Sequence, residues 1–134
     1  MTRLLDAAAY AVLPPLAGWV FATFLTLRAI GGLRTSEPAF GRILVFLMLP
    51  ASPVVLGVVG ALLAWMDGRD GLVTPLLVLG GTALAATLLQ GIMTARNIPG
   101  VIQDPARIGK ALVASTLPEV IAVGGLLFFI LRWS

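Results

Sequence analysis

Four apolar runs, 7–30, 40–66, 72–95 and 111–131, leave this chain very few structures to adopt. Each is long enough to cross a hydrocarbon core of about 30 Å as a helix rising about 1.5 Å per residue. Inside a bilayer every backbone polar group must be satisfied within the protein, so only helices and closed barrels can span it. Barrel strands are segments of about ten residues with alternating polarity. These runs are continuous and far longer, which predicts an all-α integral membrane protein with four transmembrane helices. The intervening segments GGLRTSEPA, DGRDG and RNIPGVIQDPARIGK are rich in Pro, Gly and charge, and fit only at the membrane surface or beyond it.

Composition agrees: 59% of the 134 residues are hydrophobic and 11% are charged, against about 25% charged in soluble domains. With no Cys and no His, thiolate or imidazole metal sites, disulfides and Cys or His nucleophiles are excluded. The formal charge of +3 in so apolar a chain points to lipid headgroups and topology, not to nucleic acid. The N-terminus loosely mimics a signal peptide, but Asp6 and the apolar runs behind it predict a retained first span.

Positive charge sets an expected orientation in the cell membrane. Arg28, Arg34 and Arg42 flank the loop between spans 1 and 2, and Arg96, Arg107 and Lys110 the loop between spans 3 and 4. Arg69 stands alone between Asp67 and Asp70, and Arg3 and Arg132 mark the ends. The bias places loops 1–2 and 3–4 in the cytoplasm and both termini outside. Trp65 and Trp133 would then both lie at the outer interface, or simply fill space at helix ends.

The chain also repeats. When Arg28 is laid on Arg96, Ile30 meets Ile98, Gly32 meets Gly100 and Gly41 meets Gly109. In the same register Leu49-Pro50 meets Leu117-Pro118, Gly57 meets Gly125 and Trp65 meets Trp133. Residues 1–66 and 72–134 therefore read as two tandem helical hairpins inserted the same way round, a parallel repeat suited to a ring or pseudo-symmetric bundle.

Among the differences between the two copies, two bear on chemistry. Glu119 faces Ala51, and Gln90 faces Ala22. A carboxylate within a span costs about 2.5–3.5 kcal/mol on insertion scales, and intramembrane acids commonly serve ion or proton paths. Burial disfavours the charged form of a carboxylate, so such a group can hold a proton in apolar surroundings and release it beside a cation or water. Gln90 is the expected companion, because its amide can both donate and accept. At about 1.5 Å per residue, Gln90 lies roughly 9 Å below Arg96 and Glu119 roughly 13 Å below Lys110. The plainer alternatives are an interhelical hydrogen bond for Glu119, and a neighbouring backbone group or headgroup water for Gln90. Pro118 removes a backbone donor just before the glutamate and frees the carbonyl of Ala114. Pro50 repeats the feature, and Pro53 adds a second break. Small residues in spans 1 and 3 (Ala7, Ala11, Gly18 and Ala22; Gly80, Gly81, Ala85 and Ala86) suggest inner helices in close contact.

With these features in place, the chain resembles the proteolipid (c-type, or K) subunits of V/A-type rotary ATPases over nearly its whole length. The resemblance is strongest in GKALVASTLPEVIAVGGLL, where the family has a glycine-basic stretch leading into L-P-E. Gln90-Gly91 and Leu49-Pro50 match its helix-3 and first-half motifs. The resemblance implies a homo-oligomeric rotor ring with Glu119 as the ion-carrying carboxylate. Gln90, Ser52 and Pro118 would support the ion site, with no cofactor. It implies as partners a stator membrane subunit whose arginine faces Glu119 and a central-stalk subunit at the cytoplasmic loops. Sodium-dependent relatives carry a Thr-Gln pair and then a Tyr in helix 2, where this chain has Ser52, Pro53 and Leu56. Protons are therefore the expected ion, and sodium the disfavoured one. The resemblance gives no account of Pro14-Pro15. The alternative from another class is a small structural or assembly membrane protein whose Glu119 pairs with a partner.

Overall fold

A computed structural model describes residues 2–31, 37–68 and 71–133. Gly32, Arg34, Arg69 and Asp70, which entered the repeat and the charge bias, lie outside the described residues, as does the side chain of Trp133.

The described residues form seven α-helices and no strand. They are α1 (Thr2–Ala11), α2 (Leu13–Ile30), α3 (Glu37–Met48), α4 (Ala51–Asp67), α5 (Val73–Gln103), α6 (Ile108–Thr116) and α7 (Glu119–Trp133), with a 3-10 turn at Pro105–Arg107. Four stretches are long and apolar enough to cross a membrane: Leu13–Ile30, Phe40–Asp67, Val73–Gln103 and Pro105–Arg132. The expected four-span, all-α membrane architecture is thus present. Large apolar side chains such as Phe24, Val55, Val113, Val120 and Leu131 face outward, as lipid-facing positions do and water-facing ones rarely can in such numbers.

The proline positions decide where spans break. In span 2, α3 stops at Met48 and α4 begins after Pro50; in span 4, α6 stops at Thr116 and α7 begins after Pro118. Both junctions close with the same tightened bond. Ser52 N–H donates to Leu49 C=O at 3.3 Å, and Val120 N–H to Leu117 C=O at 3.2 Å. These donors and acceptors occupy matching positions in the register of the expected repeat.

Span 1 breaks differently. Pro14 and Pro15 lack the N–H groups that would bond the carbonyls of Tyr10 and Ala11, and a new helix starts at Leu13. Those two carbonyls are the ones approached by glycines of other spans. Gly80 of α5 lies against the Tyr10 carbonyl, and Gly57 of α4 lies against that of Ala11. A side chain at either glycine would collide with backbone. The tandem prolines and the two glycines therefore form one packing device, in which carbonyls freed of their helical partners meet Cα–H groups at close range.

Helix α5 is the centre of the bundle. It touches every other element and shares its most extensive interface with α2. Within the spans, 44% of the α5 window is buried, which makes span 3 the inner helix as expected, whereas span 1, at 22%, is the least buried and lies against α5 without being an inner helix itself. Of the small residues named above, Gly18 meets Thr87 and Leu84 and Ala22 meets Gly91 across that interface, whereas Ala86 packs with Ala122 of α7 and Gly81 is exposed. Without a hydrophobic driving force between helices in lipid, such close backbone packing is what holds them together. Two larger apolar clusters cap the ends, one around Leu76, Leu79 and Phe129, the other around Ile43, Phe46, Ile98 and Val101.

Three boundaries differ clearly from the sequence expectation: span 1 starts at Leu13 rather than Ala7, span 4 at Pro105 rather than Ala111, and span 3 ends late. The third helix does not stop at Ala95 but continues to Gln103, through the stretch containing Pro99. Ile98 and Val101 are buried against Ile43, Phe46 and Ala111, and that packing outweighs the loss of one helical bond at Pro99. The helix ends at Asp104, whose extended backbone and side-chain bond to Ala106 N–H start the 3-10 turn.

Candidate functional site

The site is built where the two proline junctions meet. Glu119 is the first residue of α7, and Ser52 the second of α4, so each side chain leaves its helix within one turn of a break. The Ser52 hydroxyl donates to Glu119 Oε1. This bond joins the two halves of the repeat. The carboxylate also sits at the positive end of the α7 dipole, a position that suits an anionic group.

Glu119 is half-buried rather than enclosed. With Ser52 it lines an open groove on the outer wall of the bundle, whose other walls are Leu44, Val45, Met48 and Leu49. Leu44, Val45 and Met48 are themselves exposed. Among the described residues that line this groove, the glutamate is the only charged one, so the carboxylate faces an apolar outside. Pro53 is fully buried beneath it, and Leu56 packs against Ala83, Ala86 and Ala122. Neither position offers an oxygen from its side chain.

Gln90 is fully buried on α5, but it makes no hydrogen bond to Glu119. Both its amide atoms lack a hydrogen-bond partner, as do the hydroxyls of Thr94 and Ser115. The structure therefore joins Ser52 and Glu119 by a hydrogen bond and gives Gln90 none among the described residues. Pro118 is buried and acts by ending α6, which sets the position from which Glu119 departs.

Thr94 and Ser115 were not singled out from sequence. Both are fully buried, one helical turn from Gln90 and from Glu119 respectively. That i+4 spacing of a hydroxyl from a polar intramembrane residue was the available signal. With Gln90 they form a set of buried polar side chains in α5 and α6, two elements that pack together. Among the described residues no cluster of acidic side chains could hold a metal ion.

Fold and site together define a multi-pass, all-α membrane protein with one carboxylate placed at a helix junction inside a span. No family model matches the chain. It is similar to the A-type ATP synthase subunit K of Methanocaldococcus jannaschii, with 32% identity over 109 residues. The similarity takes in 76% of this chain and 50% of that protein, so the chain spans about half the length of the curated relative it matches. At this level the chain is a subunit-K-like membrane protein.

Proposed function

We propose that this chain is a rotor-ring subunit of an A/V-type ATPase or ATP synthase, and that Glu119 carries protons across the membrane as the ring turns. The observation that carries the reading is the placement of Glu119: a lone carboxylate at a proline junction, bonded to Ser52 and open to the outer wall of the bundle. A carrier that must meet a fixed partner during rotation has to be reachable from outside its own helices. It must also be able to rest, protonated, against an apolar surface. The groove around Glu119 meets both requirements. Similarity to a subunit K supports the same reading.

In this reading the two hairpins are structural copies that share one working carboxylate. Several chains close into a ring, a stator arginine faces each Glu119 in turn, and the loops 1–2 and 3–4 meet a central stalk on the cytoplasmic side. Ser52 orients the carboxylate, Pro118 positions it, and Gln90 acts from the inner helix once its amide reaches the site through water or a side-chain turn. The apolar Pro53 and Leu56 favour the proton over sodium, which needs several oxygen ligands. ATP chemistry belongs to partner subunits, since the chain has no phosphate-binding loop.

The test is Glu119→Gln in the assembled complex reconstituted into vesicles. An amide fills the same space but releases no proton, so the ring should assemble and coupled proton transport should vanish. Full transport by this variant would overturn the carrier assignment. A purified protein that forms no closed ring would overturn the rotor.

A further inference from the structure

The end of the bundle where spans 3 and 4 join holds a second polar feature, remote from Glu119 in character. Arg96 and Asn97 from α5, Arg107 from the 3-10 turn and Lys110 from α6 converge on one pocket of about 510 Å³. Its inner wall is apolar, with Val101 and Ala111 buried. Asp104 pairs with Arg107 at 3.5 Å and offsets that one charge. Among the described residues, Arg96 and Lys110 have no carboxylate partner, so the pocket keeps two uncompensated cations. Asn97 is held in place by donating to the Met93 carbonyl at 2.8 Å.

Below the cations the walls turn apolar and face outward. Leu89 and Ile92 precede Arg96 at helical spacing on α5, and both are exposed. Ala114 and Leu117 follow Lys110 at the same spacing on span 4, and Leu117 is exposed. A charged mouth leading onto two apolar flanks matches a molecule with an anionic head and a hydrocarbon tail. Snorkelling cations scattered round the rim would give no such convergence.

We infer that this pocket is a binding site for the phosphate of an acidic phospholipid, held by Arg96 and Lys110 with its acyl chain along the groove between α5 and span 4. Basic pockets between spans take acidic headgroups by the same electrostatics. The apolar flanks favour a lipid over a free anion. The site lies apart from the carboxylate chemistry, so it stands or falls independently of the proton-carrier reading.

The experiment is native mass spectrometry of the detergent-released protein with dioleoyl phosphatidylglycerol, dioleoyl phosphatidylcholine or inorganic phosphate. The unaltered protein should retain the phosphatidylglycerol in preference. Arg96→Gln with Lys110→Gln should weaken that retention roughly twenty-fivefold, at about fivefold per cation, while Arg96→Lys with Lys110→Arg keeps it. Arg28→Gln is the matched control, because Arg28 is the repeat equivalent of Arg96 and is exposed at the same end. Equal retention of both lipids, or an equal loss in the Arg28 variant, would overturn the site. Phosphate binding without lipid preference would assign the pocket to a free anion and overturn the lipid.

Discussion

Ser52 and Glu119 lie in spans 2 and 4, 67 residues apart, yet the serine hydroxyl donates directly to the glutamate carboxylate. In the repeat register Glu119 is matched by Ala51 and Ser52 by Val120. Each half has therefore kept one polar residue beside its proline junction, at neighbouring rather than equivalent positions. Divergence of the two copies is what allows them to meet: two glutamates at equivalent positions would place like charges beside each other, and two alanines would leave no carrier.

Ser52→Ala should leave the fold intact and slow coupled transport about fivefold, the effect of losing one hydrogen bond of roughly 1 kcal/mol. Ser52→Thr should restore most of the rate, because it returns the hydroxyl. Transport by reconstituted complex measures both. An unchanged rate in the alanine variant would show that the bond does not orient the carrier.

Gly80 and Gly81 are adjacent in α5, but their substitution should have opposite effects. A Cβ on Gly80 meets the Tyr10 carbonyl, which Pro14 has left without a helical donor, while one on Gly81 meets nothing within 4 Å. Gly80→Ala should cost about 1–3 kcal/mol, since backbone must shift to admit the methyl group. Gly81→Ala should stabilise by about 0.5–1 kcal/mol through helix propensity alone. Thermal unfolding in mild detergent separates the two. Equal behaviour would refute the packing device at the tandem prolines.

Much of this arrangement was legible in the chain. The four apolar runs gave the spans, and Leu49-Pro50 with Leu117-Pro118 marked both junctions, because proline chemistry acts locally. The small residues of spans 1 and 3 foretold the α2–α5 interface for the same kind of reason. Other relations were hidden because they depend on which surfaces face each other. Gln90 was expected as a companion of Glu119, but depth along two helices says nothing about rotation around them, and its amide has no hydrogen-bond partner among the described residues. Pro14-Pro15 had no reading until Gly57 and Gly80 were found against the carbonyls they free. The extension of α5 past Pro99 came from burial of Ile98 and Val101, a tertiary effect that local breaker signals miss.

Thr94 is fully buried and its hydroxyl has no hydrogen-bond partner among the described residues. Replacing such a group with an apolar one of the same shape is nearly neutral or stabilising. Thr94→Val should therefore change stability by no more than about 1 kcal/mol, with any change upward. A clear loss in the same unfolding assay would mean that the hydroxyl has a bound water or another partner whose removal is costly.

The identity of the ion can be tested at Glu119 itself. Sodium asks for about five or six oxygen ligands to replace its hydration shell, by extension from the coordination of hard cations. The surroundings of Glu119 supply its own carboxylate and the Ser52 hydroxyl, while Pro53 and Leu56 contribute hydrocarbon and the Gln90 amide makes no bond to the site. A proton needs only the carboxyl group and an apolar place to rest. A hydrophobic carbodiimide, which attacks protonated carboxyl groups in apolar settings, should therefore label Glu119 ahead of the other acids. The rate at fixed pH should be the same with millimolar sodium as with potassium. Mass spectrometry of the labelled peptide reads the result. Strong protection by sodium alone would assign sodium as the carried ion and leave the rotor reading in place, whereas uniform labelling of all the acids would show that Glu119 is not held as a protonated carrier.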